Sequence, residues 1–211
     1  PVYDFRLLEA RPSPLLEKPL REALYTAFDL ETTGLDPRAD AILSIGAVRL
    51  LGDRILPETF EALVDPGRPI PRASSLVHGL TDELVRGKPK VEEVLPAFFR
   101  FQEGSLLLGH NGAFDLAFLE REGKKAGLEF PGPLLDTLLL GQLLFGEGLG
   151  LEALAHRFGV PVLGRHTALG DALITAGVFA RMIPLLEAQG LSTPLRALEA
   201  SRKVALARLK Y

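Results

Sequence analysis

The 211-residue chain is predicted to fold as a mixed α/β domain, with an antiparallel group of strands continued by parallel strands and flanked by helices. Two observations lead to this prediction. Three apolar segments with the length of strands come first and are separated by turns and loops. Further along the chain, helical periods alternate with short apolar segments, which is typical of strands joined by crossover helices.

The first three strands are expected between residues 23 and 64. The apolar run Ala23–Leu30 has the character of a buried strand, and Ile42–Leu50 and Ile55–Val64 follow it. Gly52-Asp53 separates the last two runs and is typical of a tight turn, so the three strands are predicted to form an antiparallel meander. The Pro- and Gly-rich segment Asp65–Arg72 is expected to be a loop.

Helices and short strands are expected to alternate in the rest of the chain. The segment that begins at Ser74 has turn chemistry, and Thr81-Asp82-Glu83 has the pattern of a helix start. A short strand is predicted at Ser105–Gly109, and a strand followed by a helix within Leu134–Phe145. Further helices are predicted at Val91–Gln102, Ala113–Gly127, Leu151–Phe158, Ala168–Gln189 (broken or bent near Pro184) and Pro194–Leu209.

The composition predicts one domain in a reducing compartment. Residues 1–22 are expected to be an extension, 23–188 the domain, and 189–211 an amphipathic basic helix that packs on the core. The chain contains no Cys, and no long uninterrupted apolar run or secretory signal is found, so a cytoplasmic location without membrane contact is expected. The scarcity of Asn and Gln predicts a thermophilic source. A net charge of −3 does not identify a partner.

The segment FDLETTG places two acids on one side of a strand. Asp29 and Glu31 are separated by one residue, so their carboxylates point the same way. Charges about 4 Å apart repel by roughly 4 kcal/mol at an effective dielectric constant near 20. For an isolated pair of this kind, a solvent-exposed acid or a cap on the following turn would be the favoured interpretation.

Two further segments change that interpretation. GHNGAFDLAFL places Asp115 at the start of a helix, where a carboxylate could simply complement the helix dipole. HTALGD places His166 in a loop and Asp171 in the first turn of the next helix; alone, His166 would be interpreted as a surface or capping residue. Together, the carboxylates are predicted to converge on a pair of divalent metal ions, with His166 taking a proton from water.

These segments, in this order, resemble the three motifs of the DEDD (DnaQ-like) exonuclease superfamily, and within it the DEDDh branch that contains proofreading subunits of bacterial DNA polymerase III. VHGLTDE and LLDT are also similar to that family, and the resemblance covers residues 24–188. It implies a ribonuclease-H-like fold and hydrolysis of single-stranded DNA from the 3′ end, with release of nucleoside 5′-monophosphates.

The resemblance also implies the roles of individual residues. Asp29, Glu31, Asp115 and Asp171 would bind two Mg²⁺ or Mn²⁺ ions, with Asp29 bridging both and Asp115 acting through water. His166 would be the general base, since Thr167 stands where another branch has a tyrosine. Asp136 is expected to support a metal ligand or to hold a turn rather than to bind metal itself, and His78 and His156 are expected to be structural. The residues expected to contact the substrate are Thr32, Thr33, Gly34, Leu35, His110, Asn111 and Phe114.

Three alternatives remain open at this stage. The nuclease could trim RNA or short oligonucleotides instead of DNA, since the residue that would meet a 2′-hydroxyl cannot be identified from the sequence. It could also be a catalytically quiet subunit, although the intact set of acids and histidine disfavours this interpretation. The third alternative is a stand-alone repair or processing enzyme: a DNA polymerase is a possible partner, but no convincing clamp-binding peptide is found.

Overall fold

The computed structural model describes residues 13–130 and 133–207. A five-stranded sheet has the order β3-β2-β1-β4-β5, and the first three strands are antiparallel while β1, β4 and β5 are parallel. The strands are β1 (Leu24–Thr32), β2 (Ile42–Leu51), β3 (Arg54–Leu63), β4 (Leu106–Gly109) and β5 (Leu134–Asp136). The helices are α1 (Arg72–His78), α2 (Asp82–Val85), α3 (Val91–Gln102), α4 (Ala113–Lys125), α5 (Thr137–Phe145), α6 (Leu151–Phe158), α7 (Ala168–Ala188) and α8 (Pro194–Ala207). The predicted mixed sheet and its antiparallel meander are confirmed.

Helices cover both faces of the sheet because alternate residues of the central strand point to opposite sides. Tyr25 and Ala27 belong to the core beneath α5, α6, α7 and α8. Phe28 and Leu30 belong to a second core beneath α3 and α4, where Phe98 packs at the centre. The even and odd residues of β1 therefore contribute to different cores, and the odd side continues to Asp29 and Glu31.

Helix α1 is a feature that the sequence analysis interpreted as a turn. The helix runs from Arg72 to His78 and ends at Gly79, whose φ of 72° lies in the left-handed region. Tertiary hydrogen bonds hold it against the end of β1: Ser74 Oγ donates to the Thr33 carbonyl at 2.6 Å. His78 Nδ1 accepts from the Leu80 N–H, so its Nε2 donates to the Thr32 carbonyl at 3.3 Å. His78 is buried and structural, as expected, but it lies in the helix.

Helix α7 is the longest of the described helices and runs past Pro184 without interruption, so of the predicted break or bend, the break is absent. The buried side chains of Met182, Ile183 and Leu186 hold the last turns against the core. By length and apolar composition α7 could span a membrane, but 67% of that window is buried inside the fold. Its apolar character is therefore explained by its position as a core helix.

The two ends of the described chain pack on the same side of the sheet. A 3₁₀ turn at Pro14–Glu17 buries Leu16, and α8 contacts this turn, α5 and β5. Leu198 and Ala205 of α8 are buried, as the amphipathic pattern predicted. Leu209, which was expected on the same side, lies outside the described residues, as do residues 1–12 of the N-terminal extension.

Candidate active site

Two acids of β1 and a third that is distant in sequence meet at the carboxyl end of this strand. One oxygen each of Asp29, Glu31 and Asp171 lies within 4.8 Å of the other two. Asp29 and Glu31 come from the odd side of β1, and Asp171 comes from the first turn of α7, which packs against β1 and β2. The convergence that the sequence predicted for these three acids is therefore present in the fold.

Two glycine residues allow the first turn of α7 to approach the sheet and the loop before the helix this closely. Gly46 of β2 lies opposite Asp29 in the antiparallel register. A Cβ atom at Gly46 would lie 2.0 Å from the backbone nitrogen of Leu169, and one at Gly170 would lie 2.0 Å from the carbonyl oxygen of Gly164. The sequence analysis missed both residues, although a glycine inside a strand is a recognised signal of close backbone approach.

Asp115 lies beside the three acids and is almost completely buried. Its Oδ1 accepts a hydrogen bond from the backbone N–H of Leu30, at 3.1 Å, in the strand segment between Asp29 and Glu31. Burial raises the pKa of Asp115 well above its ordinary value, against the lowering effect of the backbone hydrogen bond from Leu30. One oxygen of this carboxylate is therefore already engaged by the backbone.

The clustered acids oppose each other's ionisation. Burial raises the pKa of Asp29 well above its ordinary value, and the charges of Asp115 and Asp171 raise it further. Burial, followed by the charge of Asp171, raises the pKa of Glu31 to about 7. Such a cluster is stable in its ionised form only when positive charge is supplied to it.

The carboxylate of Asp171 provides a test of whether a cation fits the site. Its Oδ1 is buried and has no hydrogen-bond partner among the described residues. A buried acceptor without a partner costs about 1–3 kcal/mol, and more when it is charged. Hard divalent cations prefer carboxylate oxygens, so the oxygens of Asp29, Glu31 and Asp171 fit a divalent metal ion.

Arg165 also contacts this cluster, and the sequence analysis did not identify it. Its Nη1 donates to Oδ2 of Asp171, and the pair is mostly shielded from solvent. Arg165 directly precedes His166 in the loop before α7. No residue pattern in the loop indicated that this basic side chain would turn inward.

His166, the predicted general base, is exposed at the edge of the site. Its φ of 62° lies in the left-handed region, which is uncommon for a residue with a side chain. Thr167 follows it and caps α7 by accepting from the Gly170 N–H at 3.1 Å. The His166 ring forms no hydrogen bond with the carboxylates in the part of the chain that the structure describes, so its catalytic role stays a prediction.

The four residues after Glu31 form a tight loop. The Thr32 hydroxyl donates to the Gly34 carbonyl at 2.7 Å, and the Thr33 hydroxyl donates to Asp40 at 3.0 Å. Both threonines are buried, so their side chains shape the loop, and their expected contact with the substrate stays a prediction. Leu35, by contrast, is 86% exposed. It is the apolar side chain that this loop presents to solvent.

The second predicted substrate-binding segment is held by Asp136. Its carboxylate accepts from the backbone N–H groups of Asn111 at 2.9 Å and Gly112 at 3.2 Å, and also caps α5. Asn111 has a φ of 56°, so it serves the turn, and its expected contact with the substrate stays a prediction. Phe114 is half-buried and packs edge-on against Phe118.

His110 lies in the same loop and is held in a defined orientation. The Thr137 hydroxyl donates to the Gly109 carbonyl at 3.2 Å, so His110 Nδ1 donates to Thr137 at 3.0 Å. Burial, followed by the charge of Arg165, lowers the pKa of His110 to about 4. The ring is therefore neutral at physiological pH, and its Nε2 is left as an acceptor.

Comparisons with known proteins identify the family of this chain. The family model described as "Exonuclease" matches residues 26–179. The DNA polymerase III subunit epsilon-like protein of Rhodobacter capsulatus is 48% identical over 199 residues, which cover 91% of this chain and 28% of the relative. The DNA polymerase III PolC-type protein of Thermotoga maritima is 39% identical over 173 residues, which cover 81% of this chain and 13% of the relative. The chain thus spans less than a third of either relative.

A solved structure of exonuclease X in complex with 5′ overhanging duplex DNA is also similar. It superposes with a TM-score of 0.65 and 27% identity, over 84% of this chain and 99% of that one. The expected ribonuclease-H-like fold is confirmed by this similarity and by the order of the strands. The chain therefore belongs to the exonuclease family, as the resemblance of its three acidic motifs to the DEDDh branch predicted.

Proposed function

We propose that the protein hydrolyses the terminal phosphodiester bond at the 3′ end of single-stranded DNA and releases nucleoside 5′-monophosphates. The observation that carries this proposal is the convergence of Asp29, Glu31 and Asp171, whose oxygens lie within 4.8 Å of one another. A cluster of acids repels a phosphodiester unless it holds metal ions, so this arrangement fits metal-dependent chemistry on a phosphate.

Two divalent cations, Mg²⁺ or Mn²⁺, are the proposed cofactors. Asp29, Glu31 and Asp171 would hold them directly. Asp115 would contribute through water, because it lies outside the group of acids whose oxygens lie within 4.8 Å of one another. Bound in this way, divalent cations lower the pKa of a coordinated water and neutralise charge on the phosphate and the leaving oxygen.

The chain's own residues would supply the proton transfer and the binding of the strand. His166 would accept a proton, since a histidine can do so at neutral pH, and its exposure allows the proton to leave to solvent. Leu35 would stack against the last bases, an apolar contact that tolerates any sequence. The neutral His110 would offer Nε2 as an acceptor to a sugar hydroxyl.

DNA is the proposed substrate because the chain is similar to an epsilon-like protein and a PolC-type protein of DNA polymerase III. The same similarity supports proofreading beside a polymerase in the cytoplasm, or DNA repair, as the biological setting. Trimming of RNA would use the same acids and differs only in how the 2′-hydroxyl is met.

The test is a time course on DNA and RNA oligonucleotides of one sequence, labelled at either the 3′ or the 5′ end. We expect shortening of DNA from the 3′ end that requires Mg²⁺ or Mn²⁺ and stops with chelator. Glu31→Gln should lose activity, while Glu58→Gln, an exposed acid on the edge strand β3, should retain it. Faster loss of RNA would assign the protein to RNA processing, and no cleavage of either would refute the proposal.

A further inference from the structure

Arg165 places a positive charge among the acids of the proposed metal site. Its Nη1 donates to Oδ2 of Asp171, and 26% of its side chain remains exposed. The charge of Arg165 also acts on Glu31. It lowers the pKa of that carboxyl group, but burial and the charge of Asp171 raise this pKa more strongly. The guanidinium therefore occupies the region in which a phosphate would meet the acids and their metal ions.

The hydrogen bonds of Arg165 are incompletely satisfied in this position. Its Nε is buried and has no partner among the described residues. A guanidinium presents five N–H donors in a planar fork that matches two oxygens of a phosphate. The contact with Asp171 uses Nη1 and leaves Nε available for a second acceptor.

The backbone next to Arg165 is held in place by hydrogen bonds. A change in the position of its guanidinium would therefore involve rotation of the side chain and no movement of the loop. The carbonyl oxygen of Gly164 accepts from the N–H of Thr167 at 3.1 Å and from its hydroxyl at 2.7 Å. Gly170 packs directly on the same carbonyl. The Cα atom of Arg165 is thereby held beside the acids, while the long side chain retains its rotatable bonds.

Charge balance indicates which group would take Arg165 from Asp171. Two divalent cations neutralise the four carboxylates of the site, so the charge of Arg165 would then be in excess. One phosphodiester carries the single negative charge that balances it. A divalent cation on Asp171 would also repel the guanidinium, which favours its transfer to an incoming phosphate.

We propose that Arg165 binds the scissile phosphate, and that its contact with Asp171 is the resting position it leaves when metal and substrate bind. The inference rests on the proposed function, because it deepens the recognition of the same substrate. In the resting position Arg165 competes with metal for Asp171. In the bound position Arg165 forms a bidentate, charge-assisted hydrogen bond with the phosphate.

The first test measures metal binding alone, by calorimetric titration with Mn²⁺ in the absence of nucleic acid. Arg165→Gln should bind Mn²⁺ several-fold more tightly than the wild type, because the competing charge is gone. Arg54→Gln is the matched control, since Arg54 is exposed at the β2–β3 turn, at the opposite end of the sheet from Glu31. Equal or weaker Mn²⁺ binding by Arg165→Gln would overturn the resting position.

The second test locates the phosphate, using single-stranded oligonucleotides with or without an uncharged methylphosphonate at the 3′-terminal linkage. Their dissociation constants are measured by fluorescence anisotropy in Ca²⁺ at several salt concentrations. Replacing the terminal phosphate by methylphosphonate should weaken binding to the wild type about tenfold more than binding to Arg165→Gln. For the unmodified oligonucleotide, the slope of log K against log salt concentration should be about 0.7 smaller in Arg165→Gln than in the wild type. Arg165→Lys keeps the positive charge but not the planar guanidinium, so its affinity for the unmodified oligonucleotide should lie between those of Arg165→Gln and the wild type.

The outcomes separate this inference from the proposed function. If the wild type binds and cleaves 3′ ends but the methylphosphonate penalty is the same in Arg165→Gln, Arg165 is only a structural partner of Asp171. If the wild type neither binds nor cleaves such ends, the proposed function itself fails. The Mn²⁺ titration is informative in either case, because it requires no substrate.

Discussion

The substitution Gly46→Ala tests how closely the first turn of α7 must approach the sheet. The new Cβ would lie 2.0 Å from Leu169 N and 2.2 Å from the carbonyl carbon of Ala168. Ordinary contact begins at 3.4 Å, so these atoms must separate by about 1.4 Å. Gly46 is paired on both sides, with Asp29 and Glu61, so the helix will move rather than the strand.

The displacement would affect the proposed metal site, because Asp171 lies two residues beyond Leu169. A retreat of this size would separate Asp171 from Asp29 and Glu31, whose oxygens now lie within 4.8 Å of it. Misplacement of a catalytic group by about 1 Å can cost about 100-fold in rate. Overpacking of this kind costs about 1–3 kcal/mol, and each kcal/mol lowers the Tm by about 2–4 °C in a domain of this size.

The assay compares kcat/KM on a 3′-labelled oligonucleotide with the rise in Tm produced by Mn²⁺. Gly46→Ala should lose about 100-fold in kcat/KM and most of the Mn²⁺-induced rise in Tm. Gly150→Ala is the control, since a Cβ there meets no atom within 4 Å and its φ is −64°. A folded Gly46→Ala variant with the activity and metal response of the wild type would refute the reasoning.

Three further predictions concern the loops, the base and the acids. Asp136→Ala should lower the free energy of unfolding by about 1–3 kcal/mol in urea titrations, because the N–H groups of Asn111 and Gly112 lose their acceptor. Asp136→Asn should lower the free energy of unfolding by less. Equal stability of the wild type and both variants would contradict this prediction. His166→Ala should lower kcat by about 10²–10⁴ and keep the Mn²⁺-induced rise in Tm, and an unchanged kcat would exclude it as the base. In chelator, the Tm should fall as pH rises from about 4.5 to about 7, since the folded state holds a proton on Glu31 that the unfolded chain has released. Glu31→Gln should reduce this fall, and a Tm that rises over the same interval would show that the acids are not destabilising without metal.

The secondary structure was largely predictable because most elements carry a local signal. The five strands and most helices lie within a few residues of their predicted bounds. Helix α1 was missed because its hydrogen bonds from Ser74 and His78 reach Thr33 and Thr32, far away in sequence. The predicted break at Pro184 did not occur, because buried neighbours hold the end of α7 in place.

The sequence by itself predicted the three acids that the fold brings together, Asp29, Glu31 and Asp171, and it determined how the first two are arranged. Alternation along a strand is a local property, so Asp29 and Glu31 had to point the same way wherever the strand was packed. The order of the acidic motifs also identified the family, since each motif is a short continuous segment. The burial of Asp115 against the backbone of Leu30, by contrast, depends on the register of α4 against the sheet.

Only the tertiary structure decided how close Asp171 comes to the other acids and what accompanies it. That distance depends on the packing of α7 over β2, which is possible only because Gly46 has no side chain. It also decided that Arg165 turns toward Asp171, while its neighbour His166 remains exposed. Contacts between residues far apart in the chain are set by packing and desolvation in three dimensions, so the periodicity of a single segment does not predict them.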